Sequence, residues 1–319
     1  MKNIFKIIAV CVVAMCSICR ASEDNRPTYK FFLNYPLVTP FKYSCIEQSQ
    51  VKRGIKDAKG YEFERTAALH FTMMLKDMPN EGISRYMIRT DSINHSITRD
   101  AVTKQFDTNN GDMVHNWNDD LEQYSIPMSQ EFEYIISPYY EYAGIVADEG
   151  RQKQINSLDS TGKTMKKTDY CMWKNSLSDD RLYHVTDVKK IEFPYGRLPV
   201  DTVWRSPIEF QISGVTIFDS VEVKFVDERG RYKFLEATFK AEKFAKDPVV
   251  IYGFRDQIAE PQKVNLDCTF KMELSPASTV DNTTITAVGT VEFKLDDGRI
   301  VTDTVDTKLT WVKLGQYEY

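Results

Sequence analysis

The 319-residue sequence predicts an all-β fold of long antiparallel strands, curled into half-barrels or stacked as a β-sandwich, in two similar halves. Three observations predict it. Apolar residues recur with a period of two over many stretches, which marks strands with one buried face. Turn residues separate those stretches at hairpin spacing. Neither long helical periodicity nor βαβ alternation is visible, which disfavours a doubly wound nucleotide-binding fold. Long antiparallel strands with one apolar face close into barrels, half-barrels or sandwiches.

The chain begins with an export signal in form. Lys2 and Lys6 give a basic head, Ile4 to Ile18 is almost wholly apolar, and Ala21 precedes the polar run Ser22-Glu23-Asp24-Asn25. That order matches a secretory signal peptide over residues 1–21, cut between Ala21 and Ser22. The apolar run is short of the ~20 residues a spanning helix needs. Cys16 and Cys19 have C-x-x-C spacing, but both precede the cut. Met15 and Ile18, directly before them, are too large for a lipoprotein signal, which leaves lipidation as the minor alternative.

The expected mature chain divides into an N-terminal β-rich half, 22–190, and a C-terminal one, 191–319. In the first, Leu69, Phe71, Met73 and Leu75 alternate with His70, Thr72 and Lys76. Phe132, Tyr134 and Ile136 alternate with Glu131 and Glu133 in the same way. Residues 92–106 fit either a short helix or a bent strand. Thr161-Gly162 reads as a hairpin turn, followed by a polar strand through Trp173. Phe193 to Pro207, with Pro194, Pro199 and Pro207, is excluded from a central strand by its prolines and suits a crossover between halves.

In the second half, Val221, Val223 and Phe225 lead to a turn at Asp227–Gly230, and the chain returns through Leu235, Ala237 and Phe239. Leu266, Cys268, Phe270, Met272 and Leu274 share one strand face. Two long strands about Asp297-Gly298 give the strongest hairpin signal in the chain.

Composition narrows the function. Loss of Lys2, Lys6 and Arg20 with the signal takes the net charge from −5 to −8, which disfavours nucleic acid or an anionic membrane as the main partner. Cys45, Cys171 and Cys268 remain, widely spaced. They allow at most one disulfide in an oxidising compartment, or three buried thiols.

Chemical motifs are sparse. Asp159 to Thr164, "DSTGKT", lacks the first glycine of a phosphate loop, because residue 157 is serine. His70, His95, His115 and His184 have no zinc-pair spacing. Asp107 to Asp120 is rich in oxygen ligands but departs from the calcium-loop template, with Asp112 where glycine belongs. Nucleophile motifs with supporting context are absent. Glu131 and Glu133 are explained by alternation alone. The sequence therefore points to no catalytic residues, no metal ligands and no cofactor. Exposed Tyr139, Tyr140, Tyr142 or Trp side chains would suit stacking on sugars. Asn94 and Asn282 begin N-x-S/T triplets.

The signal peptide, the "ALHFTMML" type of strand, the mid-chain "YGRLPVDTVW" and the closing "DDGRIVTDTVDTKLTW" resemble uncharacterised secreted β-rich proteins of bacterial envelopes. That resemblance implies export to the periplasm or cell surface and brings no assigned activity. Its architecture is similar to the half-barrels of lipoprotein carriers. It implies a non-enzymatic protein binding a hydrophobic ligand, a lipid or lipoprotein, in a groove lined by Leu69, Phe71, Met73, Phe270 and Met272. The alternatives are that these five residues are core, or that the protein is an envelope glycan-binding or adhesion module.

Overall fold

Alternation of buried and exposed side chains builds one very long sheet. A computed structural model describes residues 26–80, 83–110, 118–137, 142–146 and 148–316; the signal segment with Ala21 and Ser22 lies outside them, as do His115, Trp117, Tyr139 and Tyr140. The strands of the N-terminal region are β1 (Thr28–Lys30), β2 (Pro40–Ile55), β3 (Ala58–Asn80), β4 (Ile83–Arg99), β5 (Val102–Asp107), β6 (Glu131–Ile136) and β7 (Tyr142–Val146). Those that follow are β8 (Arg197–Pro199), β9 (Val203–Ile212), β10 (Val215–Arg229), β11 (Tyr232–Ala241), β12 (Ala259–Leu274), β13 (Val280–Leu295) and β14 (Ile300–Gln316). The helices are α1 (Asp119–Ser125), α2 (Glu149–Thr161), α3 (Lys167–Ser176) and α4 (Asp179–Thr186).

The main sheet has 12 strands, all paired antiparallel, in the order β7-β6-β4-β3-β2-β14-β13-β12-β11-β10-β9, with β5 paired to β4. β1 and β8 form a separate two-stranded sheet. Among the described residues the edge strands β7 and β9 do not pair with each other, so the sheet stays open. The all-β expectation holds. The join is β2 with β14, in register from Val301↔Ile55 to Gln316↔Phe41. Pro207 lies on β9, an edge strand, where a missing N–H costs no internal ladder bond.

Residues 92–106 form the β4–β5 hairpin. Its two turn residues, Asp100 and Ala101, both have positive φ, as the mirror-image hairpin turn requires. Residues 149–176 correct the sequence reading. The expected turn at Thr161-Gly162 and the polar strand after it are instead the end of α2 and the body of α3. The reason is visible in spacing: Thr168, Cys171, Met172 and Ser176 are the buried residues of α3, at helical intervals.

The inner face of the sheet is filled. Residues 182–193 lie across it as a plug, and Leu182, Val185, Val188, Ile191 and Phe193 share one core with β2, β3, β4, β6 and β9–β14. Polar groups fix the plug. The Trp311 indole N–H donates to the Val185 carbonyl at 3.2 Å, and the Thr283 hydroxyl donates to the Val188 carbonyl at 2.5 Å. Phe31 closes another gap, edge-on to Phe225 at 5.0 Å between ring centres. Among the described residues no helix is long and apolar enough to cross a membrane.

Candidate ligand cavity

The five residues named for a groove are all buried in the main core: Leu69, Phe71, Met73, Phe270 and Met272. Leu69 borders a cavity of about 20 Å³, room for one water at most. All five share one core with Leu182, Val185, Val188, Ile191 and Phe193 of the plug.

A larger space lies beside the sheet, between α3, the start of α4, the β9–β10 turn and residues 245–250. It measures about 530 Å³. Cys171, Met172, Val250 and Ile258 line it and belong to a satellite apolar cluster with Ile126 and Leu177. Four local features hold its walls. Arg255 binds Glu122 at 2.9 Å and Asp169 at 2.5 Å, tying α1 to α3. Buried Arg151 donates to the Leu177 carbonyl at 2.7 Å and pairs with Asp179 at 2.7 Å, fixing α2 to the α3–α4 junction. Asn175 donates to the Pro248 carbonyl at 2.6 Å, and the Cys171 thiol to the same oxygen at 3.2 Å. The two-residue turn Ser213-Gly214 has positive φ at both positions. It brings Gly214 against Val249, where an added Cβ would meet Val249 Cγ1 at 3.5 Å.

Lys167, Lys174 and Arg181 line the cavity with Asp180 and Asp247. Arg181 donates to Gln211 Oε1 at 2.7 Å, and Lys174 to the Tyr170 hydroxyl at 2.8 Å. Burial raises the Asp180 carboxyl, helped by Asp179 and Asp247. Burial also pushes the Cys171 thiol up to about 11, so it is a poor nucleophile at neutral pH. Cys45, Cys171 and Cys268 are all buried and free. Among the described residues no three His, Cys, Asp or Glu side chains gather as a metal site.

A second cluster, on the inner face, was not visible in the alternation pattern. Arg65 binds Asp120 Oδ2 through Nε at 2.6 Å and Glu47 at 3.1 Å. His95 Nε2 meets Asp120 at 2.8 Å, and the Tyr124 hydroxyl donates to Glu47 at 2.8 Å. Burial opposes the Asp120 charge, but Arg65 and the His95 hydrogen bond outweigh it and hold the carboxyl at about 2. All five side chains are buried. The set pins α1 to β2, β3 and β4. Sequence reading missed it because its members come from four separate elements.

The remaining candidates are dispersed. Burial lowers half-exposed His70. Glu133 is buried beside Lys76 and Arg85, whereas Glu131 is exposed. Trp311 is fully buried and Trp173 and Trp204 are half-buried, while Tyr195 stands exposed on the 193–196 loop.

No protein-family model matches the chain. No curated protein matches it either. Among solved structures it is similar to a chain from a study of lipid–protein interactions in lipovitellin, at 8% identity and a TM-score of 0.40, covering 89% of this chain and 26% of that one. It is also aligned with Salmonella typhi OmpF in complex with daunomycin, at 8% identity and a TM-score of 0.17, covering 87% of this chain and 97% of that one. The chain thus spans about a quarter of the lipovitellin chain's length.

Proposed function

We propose that this protein is an exported, non-enzymatic binding protein for a hydrophobic or amphiphilic ligand, held in the cavity beside α3 rather than on the inner face of the sheet. The observation that carries this reading is the cavity itself. Its volume of about 530 Å³ falls in the range of small-molecule sites, and Met172, Pro248, Val249, Val250 and Ile258 give it an apolar lining. Lys167 and Lys174 stand where an acidic head group would face water. Residues 1–21, with cleavage between Ala21 and Ser22, support export to the periplasm or cell surface.

Native mass spectrometry of protein gently extracted from its own envelope tests the reading. A co-purifying lipid is expected, and so is its loss in Met172→Trp, which fills the cavity from α3. Recovery of ligand-free protein, with no uptake of a fluorescent fatty acid by the folded wild type, would count against it.

A further inference from the structure

A second cavity, of about 490 Å³, opens between α4, residues 187–192 and the edge hairpin β9–β10. Pro207, Ile208 and Phe218 line it, together with His184 and Lys190. It shares Asp180 with the cavity beside α3 and is otherwise lined by different residues.

The hydrogen bonds around His184 favour the amine form of its neighbour. The Gln211 backbone N–H, which can only donate, points at His184 Nε2 at 3.3 Å. Nε2 therefore carries a lone pair, and the neutral ring holds its proton on Nδ1. Burial likewise keeps His184 well below its ordinary value. Nδ1 lies 3.4 Å from Lys190 Nζ. An ammonium there would set donor against donor, whereas an amine offers its lone pair to the Nδ1–H. The Nζ hydrogens have places of their own: the His184 carbonyl accepts at 2.5 Å, and the Trp311 ring lies 4.4 Å away. Lys189, not Lys190, pairs with Asp187, at 3.8 Å. Burial pushes the Lys190 amine down to about 8, against the pull of Asp187.

We propose that Lys190 is a carbonyl-capturing residue that condenses with an uncharged, apolar aldehyde entering this cavity. The amine lone pair attacks the carbonyl carbon and forms a C–N bond. The two amine hydrogens leave with the carbonyl oxygen as water, and the product is an imine on Nζ. Ile191, Pro207, Ile208 and Phe218 give a hydrocarbon chain an apolar strip in an otherwise polar cavity. Asp180, Asp187, Glu192, Glu209 and Asp219, which line the same cavity, repel an anionic aldehyde.

The test treats the full chain with hexanal and cyanoborohydride at neutral pH, which reduces any imine to a stable amine, and maps the modified lysines by peptide mass spectrometry. Lys190 is expected to be labelled about tenfold faster than Lys263 and Lys308, which stand exposed on the strands. The preference should vanish in guanidinium-unfolded protein, and glyoxylate should label Lys190 poorly. Hexanal on Lys263 and Lys308 with Lys190 untouched, or an unchanged Lys190 preference after unfolding, would overturn the proposal. No variant has to fold for either result to be read.

Discussion

Arg53 on β2 and Asp303 on β14 form a fully buried, two-pronged ion pair at the join of the sheet, with Nε to Oδ1 at 2.6 Å and Nη2 to Oδ2 at 2.5 Å. The pair sits where the two strands meet in register, Asp303 opposite Arg53. The remaining guanidinium nitrogen donates to the Tyr61 hydroxyl and the Tyr252 carbonyl, so the cation is also satisfied from β3 and from the 252 loop. Asp303→Asn should therefore lose about 3–5 kcal/mol, because it leaves a buried guanidinium without its counter-ion. The double variant Arg53→Met/Asp303→Leu should lose clearly less than the sum of the two single changes. Denaturant unfolding of the wild type, Arg53→Met, Asp303→Leu and the double variant measures this. Additive losses would show that the two groups do not act as a pair.

The plug gives the second prediction. Trp311 fills the core under α4 and donates to Val185. Trp311→Phe keeps most of the packing but leaves the Val185 carbonyl without that donor, at a cost of about 1–3 kcal/mol. Trp311→Ala adds a cavity and should cost about 3–5 kcal/mol. A melting series should rank wild type, Phe and Ala in that order. Equal losses in the two variants would mean that the hydrogen bond, not the ring volume, carries the contact.

Acid stability depends on Asp120. Its folded carboxyl sits at about 2, below its ordinary 3.8. The folded protein thus binds fewer protons than the unfolded chain between those values. The resulting stabilisation is complete above the unfolded value and is lost as pH falls through 3.8 toward about 2. It amounts to about 2 kcal/mol. Asp120→Asn should be less stable than wild type at pH 7, and the difference should shrink toward pH 2. A gap that widens with acidification would contradict the assigned sign.

The legible parts of this chain are those whose burial follows a simple period. Leu69, Phe71 and Met73 alternate with polar neighbours because one face of β3 meets the core and the other meets solvent. The same strand carries Arg65 on its buried face, where a charge in the sequence reads as solvent-facing. Only tertiary partners on β2 and α1 make that position tolerable. The helices were hidden for a different reason. α2 buries only Arg151, so it has no apolar stripe to read. α3 buries Thr168, Cys171, Met172 and Ser176, a face too polar to stand out against the surrounding lysines. The first cavity borders α3 and the start of α4 and the second borders α4, so these walls were invisible to a strand-based reading. The groove expectation failed to anticipate the plug, because residues 182–193 mix Lys189, Lys190 and Glu192 with the apolar side chains that face the sheet.

Cys171 offers a direct reading of the cavity beside α3. It lines that cavity, whereas Cys268 lies in the strand core and Cys45 borders only the small internal void. Burial raises all three thiols, Cys171 to about 11 and Cys45 and Cys268 to about 12. At neutral pH each is therefore a weak nucleophile, with Cys171 both less shifted and nearer to solvent. A disulfide reagent should modify Cys171 first, slowly, and faster as pH rises toward 9. The sign follows from the thiolate fraction, which grows about tenfold per pH unit below the pKa. A fatty acid or phospholipid occupying the cavity should slow that reaction severalfold and leave Cys45 and Cys268 unchanged. Peptide mapping of the modified thiols distinguishes the outcomes. Protection confined to Cys171 places the ligand beside α3. Protection of Cys45 or Cys268 without Cys171 would return the binding site to the inner face of the sheet.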